Sequence, residues 1–279
     1  MIELLSEHMC HGGRQQLYSH TSAATGLPMR FSAYLPPAAA HGPVPALIYL
    51  AGLTCNEETF VIKAGAQRFA ARHGLMLIAP DTSPRGAGIE QASTDSDFGL
   101  AASFYVDAVT APWSRHFRME SYIALELPEL IESALPVARG RIGIMGHSMG
   151  GHGALMLALR HPGRFRSVSA LAPIAAPTQC PWGRKAFAGY FGGDVAAWAD
   201  HDASQLMAAA STPYPQGILV DQGMDDPFLA SQLHPSSFED ACRQARQPLE
   251  LRRHPGYDHG YFFIMSFIGD HIAHHAAQL

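Results

Sequence analysis

Only 15% of the 279 residues are charged, and no run of lysine or arginine is dense enough to follow a nucleic-acid backbone or grip an anionic membrane. The formal net charge of −5 agrees, so neither partner is expected. Long apolar runs are missing too: none approaches the roughly 20 residues that cross a bilayer. The first residues, Met1-Ile2-Glu3-Leu4-Leu5-Ser6-Glu7-His8, carry acids where a secretory leader carries bases. A soluble cytoplasmic protein is the expectation. Cysteine is scarce: Cys10, Cys55, Cys180 and Cys242 lie far apart and form no C-x-x-C pair, which argues against a disulfide framework and a zinc site. His271-x-x-His274-His275 has a metal-like spacing on a helix but no cysteine or acid at a matching distance, so it reads as a polar helix end. No repeat or low-complexity linker divides the chain. With 47% hydrophobic residues it can fill one large core, and residues 1–279 read as a single domain.

What is present is an alternation of short apolar runs with helical segments. Strands are expected at Gln16–Ser19 and Met29–Tyr34, then at Ala46–Leu50, Leu75–Ala79, Arg141–Met145, Ser167–Leu171, Ile218–Asp221 and Leu249–Arg252. Helices are expected over Thr59–His73, Ser121–Leu135, Gly151–Arg160 and Phe238–Ala245, with a terminal helix from Tyr261. The stretches Asp81–Pro112 and Pro173–Asp194 show no period; the first is long enough to shape a pocket. Strands first, then strand and helix in turn, predict a mostly parallel sheet with helices on both faces and the functional groups at the strands' carboxyl ends.

One junction is more specific. Arg141-Ile142-Gly143-Ile144-Met145 runs into Gly146-His147-Ser148-Met149-Gly150, a G-x-S-x-G turn between a strand and a helix, which is the nucleophile elbow of an α/β-hydrolase. Glycine is needed on either side because the turn is strained and neighbouring chain leaves no room for a side chain. A serine hydroxyl is a poor nucleophile at neutral pH, so Ser148 requires a histidine base and a carboxylate to orient it, in that fold on later loops. His259, deepest in the loop before the terminal helix, is the base. His147 and His152 are assigned structural roles. Asp221 at its strand end is suited to binding backbone amides, and Asp258 adjoins the histidine facing away, which leaves Asp225 and Asp226. The oxyanion of acyl transfer needs two N–H donors, expected from Met149 and from Leu53, which Gly52 allows to turn toward the site.

In their order along the chain, Gly52-Leu53-Thr54-Cys55-Asn56-Glu57, Pro80-Asp81-Thr82-Ser83-Pro84-Arg85-Gly86, the elbow through Gly153, Cys180-Pro181-Trp182-Gly183, Asp221-Gln222-Gly223, Gly256-Tyr257-Asp258-His259 and Asp270-His271-Ile272 resemble the S-formylglutathione hydrolases, the esterase D family of α/β-hydrolases. The likeness runs from about Gly12 to His275. It implies hydrolysis of S-formylglutathione to formate and glutathione in formaldehyde detoxification, a catalytic triad of Ser148, Asp226 and His259, and Cys55 and Trp182 near the pocket. It also implies a homodimer or homotetramer acting on a small-molecule substrate, with no cofactor. Gly260 stands where the family pattern has serine. A general carboxylesterase or acyltransferase of the same fold is the nearest alternative. A binding protein on a decayed hydrolase scaffold is the alternative from another class.

Overall fold

The computed structural model describes residues 2–89 and 95–279, so part of the aperiodic stretch Asp81–Pro112, residues 90–94, lies outside the described residues. The strands are β1 (Glu3–Cys10), β2 (Gly13–Thr21), β3 (Pro28–Leu35), β4 (Val44–Leu50), β5 (Met76–Pro80), β6 (Val137–His147), β7 (Val168–Leu171), β8 (Ile218–Gly223) and β9 (Leu249–His254). They form one sheet in the order β1-β2-β3-β5-β4-β6-β7-β8-β9. From β1 to β5 neighbours are antiparallel; from β5 onward they are parallel. β4 and β5 are buried on both faces, which is why they read as unbroken apolar runs. β1 was not anticipated: its residues are largely exposed, and among the described residues it pairs only with β2 at the sheet edge. An edge strand with one pairing partner and little burial has no apolar alternation to betray it.

The helices are α1 (Thr59–Lys63), α2 (Gln67–His73), α3 (Leu127–Ala134), α4 (Met149–Arg160), α5 (Pro181–Phe191), α6 (Ala203–Ala209), α7 (Pro235–Ala245) and α8 (Tyr261–Ala276). The single helix expected over Thr59–His73 is broken in two, with Gly65 in the left-handed region at φ 61° between the halves. The helix expected at Ser121–Leu135 has a wide turn over Tyr122–Glu126 before α3. Pro128, inside α3, brings no N–H to the carbonyl four residues earlier, and widening the turn accommodates that loss. α5 lies inside the stretch Pro173–Asp194 that showed no period.

Strand register sets the site. Leu50 pairs with Gly146, His147 with Leu171, Leu171 with Asp221 and Gly223 with His254. The carboxyl ends of β4, β6, β7, β8 and β9 are therefore level, and the loops that leave them open on one edge.

Beneath that edge, α8 carries Ile264, Ile268, His271 and His275 on one stripe, all buried against the sheet. His271 and His275 are thus not the polar helix end expected of them. His275 lies between the hydroxyls of Ser167 (Nδ1, 2.6 Å) and Ser169 (Nε2, 2.8 Å). His271 reaches Ser169 through Nδ1 (2.8 Å) and Asp221 through Nε2 (3.2 Å). Asp221 also receives two hydrogen bonds from Arg252, from Nε and Nη2, each 2.6 Å, and is 3.2 Å from Nε2 of His254. Its expected role, binding amides of its own loop, gives way to one carboxylate tying β8 to β9 and α8. Burial opposes its ionisation, but His271, Arg252 and His254 together hold it well below the usual carboxylate range.

The buried histidines make stability depend on pH. Burial, then the charges of His274 and His271, keeps His275 well below the usual histidine range, and burial followed by His201 brings His152 to about 3. In the unfolded chain both take up a proton near pH 6.5. The stability they contribute is complete above that pH and is lost as the pH falls, by roughly 1.4 kcal/mol per pH unit for each group. Thermal melts at constant ionic strength are expected to show the midpoint dropping from pH 7.5 to 5.5. A flat profile would mean that neither ring is held neutral.

Candidate active site

Ser148 sits on the hairpin between β6 and α4 with φ 57° and ψ −120°, outside the regions that non-glycine residues normally occupy. Such a conformation costs roughly 1–3 kcal/mol and persists only where the surroundings enforce it. Here they do. Its N–H donates to the carbonyl of Leu171 (3.0 Å), and its own carbonyl accepts from the N–H groups of His152 (3.0 Å) and Ile174 (3.2 Å). A Cβ on Gly146 would strike the carbonyl of Gly150, and one on Gly150 the carbonyl of Leu50, so both flanking glycines are steric requirements.

His259, on the loop between β9 and α8, has Nδ1 2.6 Å from Oδ2 of Asp226. A carboxylate only accepts, so Nδ1 carries the proton and Nε2 keeps its lone pair. Asp226 is held in turn: the N–H of Phe228 donates to Oδ1 (2.8 Å) and the amide of Gln222 to Oδ2 (3.3 Å), and its side chain is wholly buried. Asp225 is exposed and spends its carboxylate on the N–H of Gly256 (3.3 Å). Asp258 accepts from the N–H of Gly260 (2.9 Å) at the start of α8. Of the two aspartates left open by the residues alone, Asp226 is therefore the one that meets the histidine.

Ser148 and His259 line the same 270 Å³ cavity, together with Leu53, Cys55 and Trp182, so it gathers five of the expected site residues. Met149, the residue after Ser148, is buried and is not among the lining residues; its sulfur accepts from the N–H of Phe104 at 3.4 Å. In the loop after β4, Thr54 donates its N–H to Ala101 (3.1 Å) and Cys55 to Gly52 (3.3 Å), while Tyr105 anchors Ala51 from its hydroxyl (2.8 Å). Among the described residues no acceptor meets the N–H of Leu53 or of Met149, which leaves both for an oxyanion.

The walls that residue patterns did not mark are Ser96, Asp97, Phe228 and Tyr261. Phe228 stands edge-on to His259 at 5.1 Å between ring centres and packs on Trp182 at 4.8 Å. The ring of His147 lies 4.5 Å from that of His259. Burial, and then the charge of His259, holds His147 well below the usual range, so it remains a neutral packing partner. His152 is not among the described lining residues; its Nε2 lies 3.1 Å from the carbonyl of Phe104. Burial raises the Cys55 thiol, with the hydroxyl of Thr59 and the charge of Lys63 pulling the other way. Among the described residues no group of three His, Cys, Asp or Glu is disposed to hold a metal ion, and no helix is long and apolar enough to cross a membrane.

Known proteins similar to this chain match it over nearly its whole length. Residues 22–274 match the family described as "Putative esterase". The S-formylglutathione hydrolase of Mus musculus is 50% identical over 279 residues, covering 100% of this chain and 99% of its own. That of Paracoccus denitrificans is 52% identical over 277 residues, covering 99% and 98%. The solved structure of an S-formylglutathione hydrolase from Agrobacterium tumefaciens superposes with a TM-score of 0.96 at 42% identity, covering 99% of both chains.

Proposed function

Because the chain belongs to the S-formylglutathione hydrolase family of esterases with the α/β-hydrolase fold, we propose that it hydrolyses S-formylglutathione to formate and glutathione through Ser148, His259 and Asp226. Nε2 of His259 takes the proton of the Ser148 hydroxyl as Oγ attacks the formyl carbon. The N–H groups of Leu53 and Met149 hold the oxyanion of the tetrahedral intermediate. Its collapse expels the glutathione sulfur, protonated by the imidazolium of His259, and leaves formyl-Ser148. Water, deprotonated by His259, attacks that ester, and formate leaves as Ser148 recovers its proton. Asp226 keeps Nδ1 protonated and stabilises the imidazolium throughout. The steps use no metal or organic cofactor.

The observation that carries this reading is the 2.6 Å contact between His259 and the buried Asp226, beside a strained serine that opens into the same cavity. A thiolate is a good leaving group, so the protein's larger task is binding and oxyanion stabilisation. A cytoplasmic enzyme assembled as a homodimer or homotetramer belongs to the same reading. Steady-state hydrolysis of S-formylglutathione beside 4-nitrophenyl acetate tests it. The thioester is expected to be favoured in kcat/KM by about a hundredfold or more. Preference for the ester would make this a general carboxylesterase, and turnover of neither would make it a binding protein.

A further inference from the structure

The cavity at Ser148 is mostly apolar in its lining, and its carboxylate, Asp97, is already taken by Lys185 at 2.6 Å. Among the described residues it offers no free charged group for the ends of a tripeptide thioester. Next to it, sharing Thr54 as a wall, opens a polar cavity of 570 Å³ lined by Arg30, Asn56, Glu57, Asp81 and Arg85.

Most of these groups are committed. Arg85 donates to Asp81 from Nε (2.8 Å) and Nη2 (2.6 Å), and Nη2 reaches the carbonyl of Cys55 (3.1 Å). Oδ1 of Asn56 accepts from the N–H groups of Glu58 (3.2 Å) and Thr59 (3.1 Å) and from the Thr59 hydroxyl (2.8 Å). Two are not. Glu57 is 3% exposed, yet no donor from another described residue reaches its carboxylate. Burial and then the nearby Asp81 raise its carboxyl, and Arg30 draws it the other way. Arg30 is exposed at the cavity rim, held next to Asp81 by the bond from the Asp81 N–H to its own carbonyl (3.0 Å). Among the described residues its guanidinium has no acceptor.

An uncommitted acid and an uncommitted base in one cavity match a ligand that carries an ammonium and a carboxylate on one carbon. Resting on the reaction proposed above, we infer that this cavity binds the γ-glutamyl head of glutathione, its ammonium on Glu57 and its α-carboxylate on Arg30. The glycyl end carries only a carboxylate, which Glu57 would repel. Thr54 then marks where the peptide passes from the polar cavity to Ser148.

The test uses the wild-type enzyme, Glu57→Gln and Arg30→Gln. Inhibition of 4-nitrophenyl acetate hydrolysis is measured with S-methylglutathione and with S-methylcysteinylglycine, which lacks the γ-glutamyl head. S-methylglutathione is expected to bind the wild type more tightly than the dipeptide does. Each substitution is expected to raise its inhibition constant about tenfold to a hundredfold and to leave that of the dipeptide in place. In parallel, the ratio of kcat/KM for S-formylglutathione to that for S-formylcysteinylglycine should fall by a similar factor. Equal weakening of both inhibitors, or of neither, overturns the subsite. The two readings fail separately: head-dependent inhibition without preference for the thioester removes the reaction and keeps the subsite, and thioester preference undiminished in both variants does the reverse.

Discussion

Replacing Ser148 with alanine is expected to lower kcat/KM by about 10⁵-fold, on S-formylglutathione and on 4-nitrophenyl acetate alike. The substitution removes one oxygen and nothing else that the turn depends on. Alanine keeps the Cβ, so the backbone at φ 57° and ψ −120° carries the same strain, and the three hydrogen bonds that hold the turn come from the main chain. Urea unfolding should therefore report a stability within about 0.5 kcal/mol of the wild type, or above it. Some acceleration over water should survive, because the donors at Leu53 and Met149 and the binding cavity remain. S-methylglutathione should still bind. A variant that keeps more than about one hundredth of the activity would place the nucleophile elsewhere.

Asp226→Asn is expected to lower kcat by about 10⁴-fold while the fold stays intact. The carboxylate accepts from Nδ1 of His259, from the N–H of Phe228 and from Gln222. An asparagine can keep the bond from Phe228 through its carbonyl oxygen, but its NH₂ then faces the imidazole and favours the tautomer whose proton sits on Nε2. A histidine in that form cannot take the proton of Ser148. Asp225→Asn is the control. Its carboxylate meets the N–H of Gly256 on the neighbouring loop, so the loss should stay within a few-fold. A larger defect in Asp225→Asn than in Asp226→Asn would reverse the assignment of the orienting acid.

The elbow was legible before the structure because its requirement is steric and local: two glycines, a serine and a strand running into a helix leave few alternatives. The order of strands and helices was legible for a related reason, since strands buried on both faces cannot conceal their apolar runs. The choice between Asp225 and Asp226 was beyond the residues themselves. They differ by one step along a loop, and only the path of that loop turns one inward; likeness to a known family pointed to Asp226. The roles of His271 and His275 were hidden because their partners lie far off in the chain, Ser167 just before β7, Ser169 on β7 and Asp221 on β8, and a spacing along one helix carries no information about what the helix covers. Glu57 and Arg30 gave no signal either, being twenty-seven places apart in the chain: Arg30 lies on β3 and Glu57 on the loop after β4, and they are brought together by β5, which pairs with both strands.

Asp221 does not line the cavity, yet it helps to fix where the proposed base sits. Through Arg252 and His254 it grips the strand that leads into the loop of His259, and through His271 the helix that leads out of it. Asp226 follows five residues later on the same connection. Histidine and acid, 33 residues apart in the chain, thus belong to one rigid frame closed from below. The chain entropy lost in bringing them together is surrendered once, during folding, and no turnover has to supply it again. The effective concentration of base at the serine is in this sense a property of the protein's interior.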